Sequence, residues 1–160
     1  MLQTWILVAF SFAALMWARR GLWQMALLSL PGTIAHELSH LLVGTLFFAK
    51  PSSLSIVPRR EGNTLVLGSV SFRNVGLMNG MFVAFAPLLL APVGYLSILQ
   101  AMESLQSQHL AHWGLWSVLA GNLFFSAMPS WQDFRVGFPS LLMYSIVGVV
   151  GAGFMGWLPV

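Results

Sequence analysis

The residues with the clearest chemical potential in this chain are His36-Glu37-Leu38-Ser39-His40. On a helix, residues four apart share a face, so His36 and His40 can present two imidazole nitrogens to one metal ion with Glu37 beside them. This set suits a zinc hydrolase: two neutral histidines hold the metal, a third ligand comes from elsewhere, and the glutamate takes a proton from water at the metal. The chain has no cysteine, which excludes thiolate ligands and disulfides and leaves His, Asp or Glu for the third position. Asp133 is the only aspartate and follows Pro129, where a helix end can unwind and turn a side chain inward. It is the candidate third ligand, giving one Zn2+ per chain; alternatively it caps a helix or pairs with Arg135. His109 and His112 stand at helical i, i+3 spacing, but beside Trp113 and Trp116 they read as loop histidines at a membrane boundary.

The elements that must position these residues are apolar. Of 160 residues, 58% are hydrophobic and 7% charged, against about 25% charged in a soluble domain. The composition implies one integral membrane domain, residues 1–160. Between Leu22 and Phe48 the strongly polar side chains besides Gln24 are those of the motif itself. Such groups within a membrane segment face a partner, a cavity or a metal. A hydrogen-bonded polar cluster would explain their polarity, but not their spacing. The net charge of +3 is spread over loops without a dense basic cluster, so nucleic-acid binding gains no support.

The expected architecture is an α-helical membrane protein of about five transmembrane helices. Leu2 to Ala18, followed by Arg19-Arg20, reads as a retained first helix, because a secretory signal would carry its charges ahead of the apolar core. Leu22 to Phe48 is the second span, with Pro31-Gly32 predicting a kink or local opening just before the motif. Its histidines lie roughly 12 Å from the Phe48 end at 1.5 Å per residue. Lys50 to Arg73 predicts a membrane-associated β-hairpin, with Ser53–Ile56 and Thr64–Phe72 flanking a charged turn. Gly80 to Leu99, Trp113 to Met128 and Phe138 to about Pro159 complete the spans, with Gln100 to Trp113 as a polar loop. Gly76, Gly80 and Ala84, and again Gly148, Ala152 and Gly156, form stripes that admit close helix packing.

This order gives the site a geometric check. Five spans put the hairpin and the Asp133 loop on the same side, and the second helix carries His36 and His40 into that half of the bilayer. All three proposed ligands can meet. Lys50, Arg59, Arg60, Arg73 and Arg135 lie on this side against Arg19 and Arg20 opposite, which makes it cytoplasmic by the positive-inside rule. The expected location is a bacterial-type inner membrane with the site nearer the cytoplasm.

The chain resembles the site-2 protease family of intramembrane zinc metalloproteases over residues 22–135. In that family a His-Glu-x-x-His helix and a later aspartate, commonly in an Asn-x-x-Pro-x-x-x-x-Asp-Gly-like pattern, form a zinc site within the bilayer. His36, Glu37 and His40 match the first motif, and Gly121-Asn122 through Pro129 to Asp133 looks like a variant of the second. Phe134 stands where that pattern has glycine, and Ala86-Pro87-Leu88-Leu89-Leu90 resembles the family's Gly-Pro-x-x-Asn segment without its asparagine. The resemblance implies hydrolysis of a peptide bond in a membrane-embedded or membrane-proximal protein, with Glu37 as general base and Asn122 as a candidate contact to substrate or oxyanion. The free hairpin edge could hold such a peptide extended. A zinc hydrolase acting on a non-peptide amphiphile, and a non-enzymatic metal-binding or transport subunit, are the alternatives.

Overall fold

The computed structural model describes residues 1–18, 22–62 and 64–155, the side chains of 18, 22–26, 60, 61, 64 and 65 excepted. The apolar run at the start forms helix α1, Leu2–Ala18, and the motif-bearing run forms α2, Leu22–Leu46. Arg19 and Arg20 lie outside the described residues, as do Gly156 and the expected end of the last span at Pro159.

The predicted hairpin is present as two short antiparallel ladders. Strand β1, Pro51–Ser55, pairs with β4, Ser69–Phe72, and β2, Arg59–Glu61, pairs with β3, Thr64–Val66. Gly62 takes φ 60° at the turn, a conformation glycine adopts without a Cβ penalty. Phe72 packs its ring where Gly44 has no side chain, which lays β4 along α2.

The third span differs from the single helix expected over Gly80 to Leu99. It is broken into α3, Gly80–Ala84, a 3₁₀ turn over Ala86–Leu89, and α4, Leu90–Gln106. Pro87 causes the break, because it has no N–H to donate to the carbonyl of Val83 four residues earlier. The expected polar loop also shrinks, since α4 reaches Gln106 and α5 begins at Leu110 and runs to Ser126. Helix α6, Trp131–Phe154, starts seven residues before the expected Phe138. Its start is set by a capping box in which Ser130 and Asp133 satisfy each other's backbone N–H.

Helix α5 is central: it packs on α4, α1 and α2, while α3 packs on α6. Gly121 lets α1 approach, where an added Cβ would stand 2.7 Å from Ser11 Cβ, and Trp113 Nε1 donates to Thr4 Oγ1 at 3.1 Å. Of the two expected packing stripes, Gly80 meets Val136 O and Ser140 on α6, whereas Gly148 faces open space. In place of five uniform spans, the described residues hold six α-helices, of which two, Ala86–Gln106 (its 3₁₀ turn included) and Trp131–Phe154, are long and apolar enough to cross a membrane. Little of their apolar surface is covered: 28% and 11% of their most apolar windows are buried.

Candidate metal centre

His36 and His40 sit in the middle of α2, one turn apart, with ring centroids 4.8 Å from each other. Asp133 comes from the first turn of α6, on the side where α2 ends and the sheet begins. His40 Nε2 lies 3.2 Å from His36 Nε2 and 3.3 Å from Asp133 Oδ1, and His36 Nε2 lies 3.7 Å from Asp133 Oδ2. Ligands about 2.0–2.2 Å from a tetrahedral metal are separated from one another by about 3.3–3.6 Å. The three separations, 3.2, 3.3 and 3.7 Å, bracket that range, so small side-chain shifts would suit one ion.

What points the ring nitrogens together is a pair of interrupted helices. Val83 O, deprived of its helical donor by Pro87, accepts from His40 Nδ1 at 2.8 Å. Ser126 O, at the end of α5 and three residues before Pro129, accepts from His36 Nδ1 at 2.6 Å. With both Nδ1 atoms donating, both Nε2 atoms present lone pairs, and they face each other and a carboxylate. Such an arrangement is repulsive without a cation between the groups, and it is the arrangement by which backbone carbonyls orient metal-binding histidines. His36, His40 and Asp133 could therefore hold a metal ion.

The two sequence alternatives for Asp133 combine in one geometry. Its Oδ2 accepts from the Ser130 N–H at 2.6 Å while its own N–H donates to Ser130 Oγ at 3.2 Å. The cap fixes the carboxylate that faces the histidines. The Ser130-x-x-Asp133 spacing is a capping signature visible in the sequence.

Glu37 is 7% exposed, and its side chain lies against the chain leading into β4. Gly68 lies against it: a Cβ there would stand 2.7 Å from Glu37 Cγ and 2.9 Å from Oε1. Asn122, the candidate for substrate or oxyanion contact, is committed elsewhere. Its Oδ1 accepts from the Gly32 N–H at 2.9 Å and its Nδ2 donates to Leu28 O at 2.6 Å. Those two backbone groups pair with each other in an uninterrupted helix. The Asn122 amide thus wedges into α2 at the predicted opening, and Gly32 makes room, since a Cβ there would collide with Ser126 Oγ and Asn122 Oδ1. His109 and His112, with ring centroids 5.7 Å apart, stand at the far end of α5, roughly 25 Å along the helix from Ser126.

Sequence reasoning missed Val83, Ser126 and Gly68. Pro87 was the signal for Val83, because proline leaves the carbonyl four residues earlier without its helical donor; Ser126 O is free of a helical donor because the Ser130 N–H goes to Asp133 instead. No protein-family model, curated protein or solved structure matches the chain.

Proposed function

We propose that the chain is a membrane-embedded zinc endopeptidase of the kind the site-2 protease family represents, cutting a membrane-embedded or membrane-proximal peptide. The observation that carries this reading is the convergence of His36 Nε2, His40 Nε2 and the Asp133 carboxylate within 4.8 Å of one another, next to Glu37. An all-nitrogen-and-oxygen set of three protein ligands leaves a fourth position open, as hydrolytic zinc sites do. When bound, zinc supplies Lewis acidity toward a carbonyl and an acidified water. Glu37, next to His36 in sequence, is the base that takes the proton of the attacking water and returns it to the leaving amine.

Membrane location is supported by what the helices expose. Phe10 is 69% exposed, Leu42 69%, Val147 62% and Phe154 90%, spread over α1, α2 and α6. A soluble monomer rarely presents contiguous apolar surface on this scale. The same side of the molecule carries the sheet and Asp133, so the reading puts the centre in the cytoplasmic half of the bilayer. A membrane helix hides its carbonyls, and the substrate must be unwound to be cut. Strand β4, lying along α2 beside Glu37, offers an edge for an extended peptide.

The test is metal content and peptide hydrolysis by protein purified in detergent. We expect about one zinc per chain, lost in His36→Ala, His40→Ala and Asp133→Ala. Retention of zinc without Asp133 would remove the third ligand. A parent that takes up no zinc when supplied with it would sink the hydrolase reading.

A further inference from the structure

The two histidines are oriented by different devices. His40 Nδ1 donates to Val83 O at 2.8 Å, and that carbonyl is open because Pro87, four residues on, has no N–H. This opening is covalent, and no helical donor can return to it. His36 Nδ1 donates to Ser126 O at 2.6 Å. The residue four on from Ser126 is Ser130, which keeps its N–H. Here the carbonyl is open because that N–H goes to Asp133 Oδ2 at 2.6 Å.

Ser130 stands between the two elements that carry these groups. Helix α5 ends at Ser126, the Ala127 N–H still donates to Leu123 O at 2.8 Å, and Pro129 then has no donor to offer. Ser130 carries the N–H that would close an α-turn onto Ser126 O, a common way to satisfy a carbonyl at a helix end. It is also the N-cap of α6, with φ −72° and ψ 165°, and its Oγ accepts from the Asp133 N–H at 3.2 Å. One N–H thus has two acceptors to choose from, Ser126 O behind it and Asp133 Oδ2 ahead. A bond to an ionised carboxylate is roughly twice as strong as one to a neutral carbonyl, so Asp133 takes it. Two results follow from that choice. Oδ2 is held in the cap, 3.7 Å from His36 Nε2, which leaves Oδ1, 3.3 Å from His40 Nε2, as the oxygen turned to the centre. Ser126 O is left to His36.

We propose that Ser130 is a positioning residue that couples His36 to Asp133: while its N–H holds the carboxylate, Ser126 O is free to orient the His36 ring, and the two side chains are set together. His40 stands outside this coupling, because Pro87 fixes its acceptor in the covalent chain. That these three side chains hold a metal rests on the function proposed above; the coupling between them does not. A centre made this way keeps one permanent ligand and gains or loses the other two as a pair.

The test uses the full chain in detergent, free of zinc and labelled with isotopic histidine, so that NMR reads each ring Nδ1–H held by a carbonyl. His36→Gln and His40→Gln assign the two signals; His109 and His112 are exposed, and their ring protons exchange with water. Asp133→Ala returns the Ser130 N–H to Ser126 O, and the His36 signal is expected to be lost while the His40 signal stays. Adding Ser130→Pro, which suits φ −72° and deletes the competing N–H, is expected to restore the His36 signal. Adding Ser130→Ala instead, which deletes the hydroxyl and keeps the N–H, should not restore it. A His36 signal that survives Asp133→Ala, or that stays lost in the folded double variant with proline, would overturn the coupling, as would equal loss of the His40 signal. Where the proline variant does not fold, Asp133→Asn decides: its amide oxygen still accepts the Ser130 N–H, so the His36 signal should persist, and its loss there as in Asp133→Ala would overturn the coupling. In the zinc-loaded protein, Ser130→Pro alone should lower zinc affinity by about 10–100-fold, the usual loss when a partner orienting a ligand is removed, read with a competing chelator. Parent-like affinity in that variant would overturn the positioning role. Loss and rescue of the His36 signal in a protein that takes up no zinc would keep the coupling and remove the metal reading.

Discussion

Glu37 and the two histidines beside it make separable contributions, and substitutions at them should give different results. Glu37 contributes no atom to the trio formed by His36, His40 and Asp133. Glu37→Gln should therefore retain about one zinc per chain, while peptide hydrolysis falls by about 10²–10⁴-fold, the usual contribution of a positioned proton-transfer group. Metal analysis and turnover on the same preparation check both halves; undiminished turnover would mean that another group acts as the base. At this scale much of the centre was legible in the sequence. The i, i+4 spacing of His36 and His40 survives because helix periodicity is local. Asp133 was reachable by elimination and topology, since no other aspartate exists and the helix order returns it to the correct side. The contact of Glu37 with Gly68 was not legible. It depends on which backbone passes the carboxylate, and a glycine in a strand does not announce its neighbour.

Helix interruptions do at the element scale what ligand spacing does at the residue scale. Pro87 withholds an N–H from Val83 O, and that carbonyl receives His40 Nδ1 instead. Pro87→Ala would restore a backbone donor to compete for the same oxygen, letting the His40 ring turn. Zinc affinity should fall by about 10–100-fold, the usual effect of removing a partner that orients a ligand, and titration with a competing chelator reads it. Asn122 works in the opposite direction, filling a break instead of creating one. Asn122→Ala removes the hydrogen bonds to the buried Gly32 N–H and the part-buried Leu28 O, at a cost of about 1–3 kcal/mol, seen as a lower unfolding temperature in detergent. Were Asn122 instead a contact to substrate, hydrolysis would drop and the unfolding temperature would hold. From sequence the prolines were visible as breakers and Pro31-Gly32 as an opening. What entered those openings was not, because the carbonyl acceptors and the Asn122 wedge are contacts between segments some 40 to 90 residues apart. The same limit explains the third span: the sequence marked Pro87 and apolarity together, and only packing decides whether the helix bends or breaks.

For the whole molecule, the chain order makes the strongest demand. If the protein spans a membrane with the sheet and the start of α6 at one face and the α4–α5 turn at the other, the centre lies in one half of the bilayer by construction. The absence of cysteine allows a direct test, because each single cysteine introduced is the sole thiol in the protein. Ser52 on β1, Gln132 at the start of α6 and Ser107 at the α4–α5 turn are all exposed. In intact cells, a membrane-impermeant maleimide should treat Ser52→Cys and Gln132→Cys alike and Ser107→Cys in the opposite way. By the positive-inside rule, Lys50, Arg59, Arg60, Arg73 and Arg135 predict that the first two are on the protected, cytoplasmic side. Labelling of Ser107→Cys alone before lysis, and of all three after it, is the expected pattern. The reverse pattern would invert the orientation and leave the centre intact, since Asp133 and the histidines still share a side. Opposite labelling of Ser52→Cys and Gln132→Cys is the result the fold cannot accommodate, because α2 and α6 would then bring their ligands to different faces and no metal could be shared.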